Sequence, residues 1–177
     1  MSSRAETAEA AEAAPPRPAR GAREADRLRP PLLAAALAGV VLAADRVTKH
    51  AVRADIPLDG SRRVIGGILR LVHYRNTGVA FDFLSGAGVI VLVVTGIALV
   101  ALLGYFALHP RRRGLWVPTG LLLGGAIGNL LDRLLDGSVT DFIKLPHWPA
   151  FNVSDIAITI GVIALLWVLE RPAARRR

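Results

Sequence analysis

Long apolar runs separated by short polar stretches organise this chain. From Pro31 to about Val52 the sequence opens with small apolar residues as far as Ala44 and then turns charged at Asp45, Arg46 and Lys49. Gly86 to Leu108 is 23 residues without a charge, the length a helix needs to cross about 30 Å of hydrocarbon. Leu115 to about Leu135 is apolar and glycine-rich over its first two thirds, then carries Asn129, Asp132 and Arg133. Asn152 to Leu169 is apolar apart from Asn152, Ser154, Asp155 and Thr159 near its start. This pattern predicts a mainly α, integral membrane protein with four transmembrane helices over about 31–52, 86–108, 115–135 and 152–169.

The segments between the runs differ in character. Val64 to Arg75 is rich in β-branched and aromatic residues around a Gly66-Gly67 bend, which predicts a small extracytoplasmic sheet. Residues 1–30 mix Ala, Pro, Glu and Arg without apolar periodicity, so they bury too little surface to offset the entropy of ordering and read as a disordered tail. No short apolar region with a small-residue cleavage site precedes the first run, which therefore reads as a retained anchor. Residues 31–170 form the membrane domain on this reading, and 171–177 form a second basic tail.

Charge changes the picture once it is located. The net charge is +8, a value that by itself fits a nucleic-acid binder. Yet 13 of the 22 basic residues lie before Pro31, at Arg111 to Arg113, or after Glu170, against six in the opposite loops. Basic residues are retained on the cytoplasmic side, so both termini are expected there, with no nucleic-acid partner. Arg111-Arg112-Arg113 also fits contact with anionic lipid.

The residue inventory narrows the chemistry. With no cysteine, thiol nucleophiles, disulfides and thiolate metal sites are excluded. The four histidines are not spaced as a metal pair, and no metal or other cofactor is expected. Ionisable residues in spans are functional candidates by default. Here Asp45, Asn129, Asp132, Arg133 and Asp155 fall at the outward ends of three spans, with Asp141 in the short loop between the last two. Two neighbouring carboxyls can share a proton, one activating water and the other donating to the substrate. Asp155 equally suits a helix cap and Asp141 a turn. Asp45 and Lys49, at i and i+4, suit an ordinary helix ion pair, and Arg133 can pair with Asp136 or a carbonyl. Asn152 or Ser154 reads as a cap, and Asn76-Thr77-Gly78 as a turn. Gly120, Gly124 and Gly128, four apart, read as a close helix contact.

Four motifs in order, DRVTK (45–49), RNTGVAF (75–81), GGAIGNLLDRLLDGSVTDFI (124–143) and FNVSD (151–155), resemble the bacterial lipoprotein signal peptidase (signal peptidase II) family. The resemblance covers Pro31 to Glu170. It implies an inner-membrane aspartic peptidase with four transmembrane helices and an extracytoplasmic β-cradle, cutting lipid-modified prolipoproteins just before the cysteine that bears the diacylglyceryl group. Asp141 and Asp155 match the catalytic pair, and Asp45, Asn76, Asn129, Asp132, Arg133 and Asn152 match supporting positions. Ser154 stands where the family usually has Ala, Asp82 follows the AF pair where a small or neutral residue is more common, and the N-terminal tail is longer than usual.

The reading that follows has Asp141 and Asp155 holding a water, Asn152 orienting Asp155, and the Asn129, Asp132 and Arg133 group bracing the third helix. The region with Asn76 clamps the substrate backbone as an added strand. The partners are a lipid-modified prolipoprotein and membrane lipids, and the protein is a monomer with its site near the outer face. Competing readings are a proton-coupled transporter, a non-catalytic scaffold, and a Ser/Lys peptidase using Ser138 and Lys144.

Overall fold

The structure is a computed structural model that describes residues 20–77, 87–109, 112 and 114–170. Four helices and three strands follow in the order α1 (Arg20–Asp55), β1 (Ser61–Ile65), β2 (Leu69–Asn76), α2 (Ala87–Leu108), α3 (Trp116–Asp136), β3 (Val139–Lys144) and α4 (Val153–Glu170). The last three helices begin and end within one residue of the apolar segments in the sequence. The first does not. α1 starts at Arg20 and runs through Pro30 and Pro31, so residues 20–30, expected to be disordered, are helical. Their Ala, Arg, Glu and Leu residues are strong helix formers, and they extend a helix that packing fixes further on. The rest of the expected N-terminal tail, Asp82 and the tail 171–177 lie outside the described residues.

α3 is the central helix, packed against α1, α4 and, over less of its length, α2. Its small residues permit this. A methyl group on Gly120 would stand 2.8 Å from the Ala34 carbonyl oxygen, and one on Gly124 2.7 Å from that of Ala38. The four-residue glycine spacing therefore does mark a close helix contact, made with α1. The outer surfaces of the helices are apolar: Val40 and Val47 on α1, Ile97 and Val100 on α2, and Ile163 and Trp167 on α4 are all exposed. Apolar exposure on this scale marks contact with something other than water. Helices 28–55 and 153–170 are long and apolar enough to cross a membrane, and 93–108 forms a shorter apolar helix. α3 buries Thr119, Asn129 and Asp132, which hides those polar residues from the surroundings.

The strands form one antiparallel sheet in the order β1-β2-β3. β1 and β2 are the hairpin expected between Val64 and Arg75, turning at Gly66, whose φ of +49° lies in the left-handed region that glycine tolerates. β2 is the middle strand. Ser61 pairs with Val72 on one side and Leu71 with Ile143 on the other, so β2 is paired on both sides over Leu69–Val72, while Asn76, at its far end, pairs with Val139 of β3. β3 was expected to be a loop. Its VTDFIK sequence pairs with β2 on one side and, at Ile143, with Phe151 on the other. Six residues between two helices carry too short a period to be read without that partner.

Gly137, at φ +70°, closes α3 by donating its N–H to the Arg133 carbonyl at 3.1 Å and turns the chain directly into β3. Val52, Ile56 and Phe142 form a small core with Leu71, Ile143 and Val153 against it. This cluster ties the end of α1, the sheet and the start of α4 together, and the site lies beside it.

Candidate active site

Asp141 sits midway along β3, opposite Tyr74 of β2, and is 2% exposed. Both its oxygens accept from amides: Asn152 Nδ2 donates at 2.7 Å and Asn76 Nδ2 at 2.9 Å. Burial pushes the Asp141 carboxyl up from its ordinary 3.8 to about 6. The Asn76 hydrogen bond opposes this rise, the negative charge of Asp155 adds to it, and the Asn152 hydrogen bond and the Lys49 charge also oppose it.

Asp155 lies in the first turn of α4. Its backbone N–H donates to Asn152 Oδ1 at 3.0 Å, and its own Oδ2 accepts the Asn152 backbone N–H at 3.1 Å. This is a reciprocal capping box, with Asn at the cap and Asp three residues on. The capping expected of Asn152 and Asp155 is therefore present, and it does not remove Asp155 from the site. Its other oxygen, Oδ1, accepts Asn129 Nδ2 at 2.8 Å. A further free N–H of the α4 terminus, that of Ser154, goes to Asp45 Oδ1 at 3.0 Å. Asn152 thus touches both carboxylates, Asp141 with its side chain and Asp155 with its backbone.

Two aspartates bridged by one asparagine, at the junction of a small sheet and a helix bundle, can be set beside known proteins. The family model described as "Signal peptidase (SPase) II" matches residues 37–170. The chain belongs to the signal peptidase II family. A lipoprotein signal peptidase of Moorella thermoacetica is 42% identical over 141 residues, covering 79% of this chain and 94% of the relative. One from Nitratidesulfovibrio vulgaris is 40% identical over 150 residues, covering 79% and 91%. A solved bacterial membrane enzyme superposes with a TM-score of 0.72 at 34% identity, over 79% of this chain and 94% of that one. A second gives 0.67 at 31% identity, over 81% and 94%. This signal peptidase II family member is accordingly a protease, and its structural neighbours are bacterial membrane enzymes.

Of the eight residues singled out in the sequence, seven are linked by hydrogen bonds or ion pairs around Asp141 and Asp155, some through Lys49 and Thr140. Asp45 and Asp132 lie behind the pair, both 0% exposed. Lys49, 1% exposed, bridges them at 2.7 and 2.8 Å and donates to Asn129 Oδ1 at 3.1 Å. The Asp45–Lys49 pair is thus not the ordinary exposed helix pair that its spacing allows. Breaking a buried pair of this kind by removing one partner costs about 3–5 kcal/mol. Asp132 also receives Arg46 at 2.9 Å, Arg53 at 3.5 Å and the Thr140 N–H at 3.4 Å. Arg53 adds Asp136 at 2.9 Å and the Thr140 hydroxyl at 2.9 Å, which fastens α1 to the strand that carries Asp141.

Arg133 is the eighth residue, and it joins the others only through a backbone carbonyl. It does not meet Asp136, which Arg53 has taken. Its Nη1 donates to the Asn129 carbonyl one turn back at 3.2 Å, so of the two partners considered for it, the carbonyl is the one found. Asn152 meets Asp155 through its backbone N–H and its Oδ1, while its Nδ2 addresses Asp141 and Asn129. The rival Ser/Lys pairing gains nothing here: Lys144 Nζ donates to the Trp148 carbonyl at 2.7 Å in an exposed position, while Ser138 is buried. Among the described residues, no group of three His, Asp or Glu side chains could hold a metal ion.

The sequence did not single out Lys49, Arg46 and Arg53 as site residues. A signal was available: 46, 49 and 53 recur at i, i+3 and i+7, one face of a helix. Ser154 departs from the usual alanine, and its buried hydroxyl, which finds no hydrogen-bond partner, stands over the bare Cα of Gly128.

Proposed function

We propose that this protein is an aspartic endopeptidase that removes the signal peptide from diacylglyceryl-modified prolipoproteins, cutting before the lipidated cysteine. The observation that carries the reading is Asn152 joining Asp141 to Asp155, because it holds two carboxyls in one hydrogen-bonded unit where a water can sit between them. Asp155, as carboxylate, takes a proton from that water as its oxygen bonds to the scissile carbonyl carbon. Asp141, which keeps its proton up to about pH 6, gives it to the leaving nitrogen as the C–N bond breaks. No covalent intermediate is required.

The four helices α1 to α4 cross the bacterial inner membrane, both termini are cytoplasmic, and the sheet and the aspartate pair lie near the outer face. The substrate's lipid chains stay in the bilayer against the apolar outer surfaces of the helices, and the enzyme works as a monomer. The relatives' name, lipoprotein signal peptidase, supports this substrate class.

The test uses purified protein with a diacylglyceryl-modified precursor and its unmodified counterpart, with and without chelator. Cleavage of the lipidated form alone, unchanged by chelator, is expected. Asp141→Asn and Asp155→Asn should each abolish cleavage while the protein stays folded, and full activity in either variant would sink the aspartate-pair assignment.

A further inference from the structure

Lys49 is buried, its ammonium forming ion pairs with Asp45 at 2.7 Å and Asp132 at 2.8 Å and donating a hydrogen bond to Asn129 Oδ1 at 3.1 Å. Charge balance calls only for the contact with Asp45, because Asp132 is already paired with Arg46 and Arg53 and Asn129 is neutral. An ammonium group can only donate. A side-chain amide presents an acceptor on one side and donors on the other, so facing Lys49 it must turn its oxygen inward. We propose that Lys49 is a positioning residue for the aspartate pair, fixing the direction of the Asn129 amide and, through it, that of Asn152.

The consequences can be followed atom by atom. With Asn129 Oδ1 held at Lys49, its Nδ2 faces the pair and donates to Asp155 Oδ1 at 2.8 Å. The same Oδ1 accepts Asn152 Nδ2 at 3.2 Å. The Asn152 NH2 group therefore points at Asn129 and Asp141, where it donates at 2.7 Å, and its oxygen points at the Asp155 N–H. If Asn129 were reversed, an NH2 group would face both Lys49 and the Asn152 NH2, and a carbonyl oxygen would face the Asp155 carboxylate. All three contacts would be repulsive. The cation thus reinforces the orientation in which both aspartates are met by donors, and a neutral residue at position 49 would remove one of the three contacts that hold it.

The inference rests on the aspartate-pair reading, and its test separates the two. Lys49→Met should lower kcat by roughly tenfold or more with KM changed less than about twofold, since an orienting partner acts on the chemistry and not on substrate binding. Asp141 is faced by Asp155 from α4 and Lys49 from α1, with Tyr74 opposite it on β2 and Asp132 of α3 held behind by Arg46 and Arg53. Removing the cation favours the protonated carboxyl, so the alkaline limb of kcat/KM should move to higher pH. Combined with Asn129→Ala, the loss should be no larger than that of the worse single variant, because both act through one amide.

Leu115→Ala, at a fully buried position at the other end of α3, supplies a variant of reduced stability that should keep the native limb. Should Lys49→Met fail to fold, Lys49→Met with Asp45→Asn removes one cation and one anion together and should show the same limb shift. A native pH profile in the folded variant, or losses that multiply with Asn129→Ala, overturns the positioning role. If Asp141→Asn or Asp155→Asn stays fully active, the aspartate-pair reading itself falls.

Discussion

The side chains of Asn129 and Asn152 are hydrogen-bonded to each other, Asn152 Nδ2 to Asn129 Oδ1 at 3.2 Å, and each donates onward to a different aspartate. The two carboxylates are therefore arranged by neutral amides, while the charges that hold those amides lie one layer further in. Amides can donate to a carboxylate without adding a charge of their own beside it, which leaves the pair free to trade one proton.

Asn152 holds both ends of this arrangement. Asn152→Ala removes the donor to Asp141 and the cap of α4, and a hydrogen bond to a charged group is worth about 1.5–3 kcal/mol. Activity on a lipidated precursor should fall by roughly 10- to 150-fold by the same figure, mostly in kcat. Steady-state kinetics of the folded variant checks this, and an unchanged kcat would show that Asn152 serves α4 alone.

The raised Asp141 carboxyl fixes the sign of two pH effects. With Asp141 as the acid, kcat/KM should decline as pH rises through about 6, and the limb in kcat should lie higher, because bound substrate excludes water. For stability, the folded-state value lies above the ordinary 3.8, so the contribution of Asp141 is fully present below about pH 4 and is lost as pH rises through about 6. The Tm of Asp141→Asn, taken relative to the native protein, should accordingly climb between pH 4 and 7. A difference that stays flat across that range would contradict the assigned burial.

Gly128 is required by what lies over it. A Cβ there would strike the Ser154 hydroxyl and stand 2.9 Å from Asp45 Oδ2, forcing apart α3, α4 and the buried ion pair. Gly128→Ala should lower stability by about 1–3 kcal/mol or more. Gly39→Ala on α1 has nothing within 4 Å and should raise stability by up to about 1 kcal/mol through helix propensity. Thermal unfolding in one detergent compares the two.

Much of this site was legible because its residues break a strong pattern. Asn129, Asp132 and Asp155 interrupt runs that are otherwise apolar, and an interruption of that kind is costly unless it has a partner. Arg46, Lys49 and Arg53 lie on one face of α1, in the polar stretch that follows its apolar run. They were less conspicuous because basic residues near the end of a span also serve as anchors. β3 escaped notice for a different reason: its identity as a strand comes from β2 and Phe151, which lie far away along the chain or beyond a turn.

Sequence alone determined the apolar helices, the hairpin and the set of polar residues that had to converge, because hydrophobic periodicity and the expense of placing charge in an apolar setting are local properties. Tertiary structure decided which partner each polar atom takes. Arg53 and not Arg133 reaches Asp136, Asn152 turns its amide to Asp141, and Lys49 sits between Asp45 and Asp132. A hydrogen bond depends on direction and distance across elements, and neither is written in the spacing of residues along one chain.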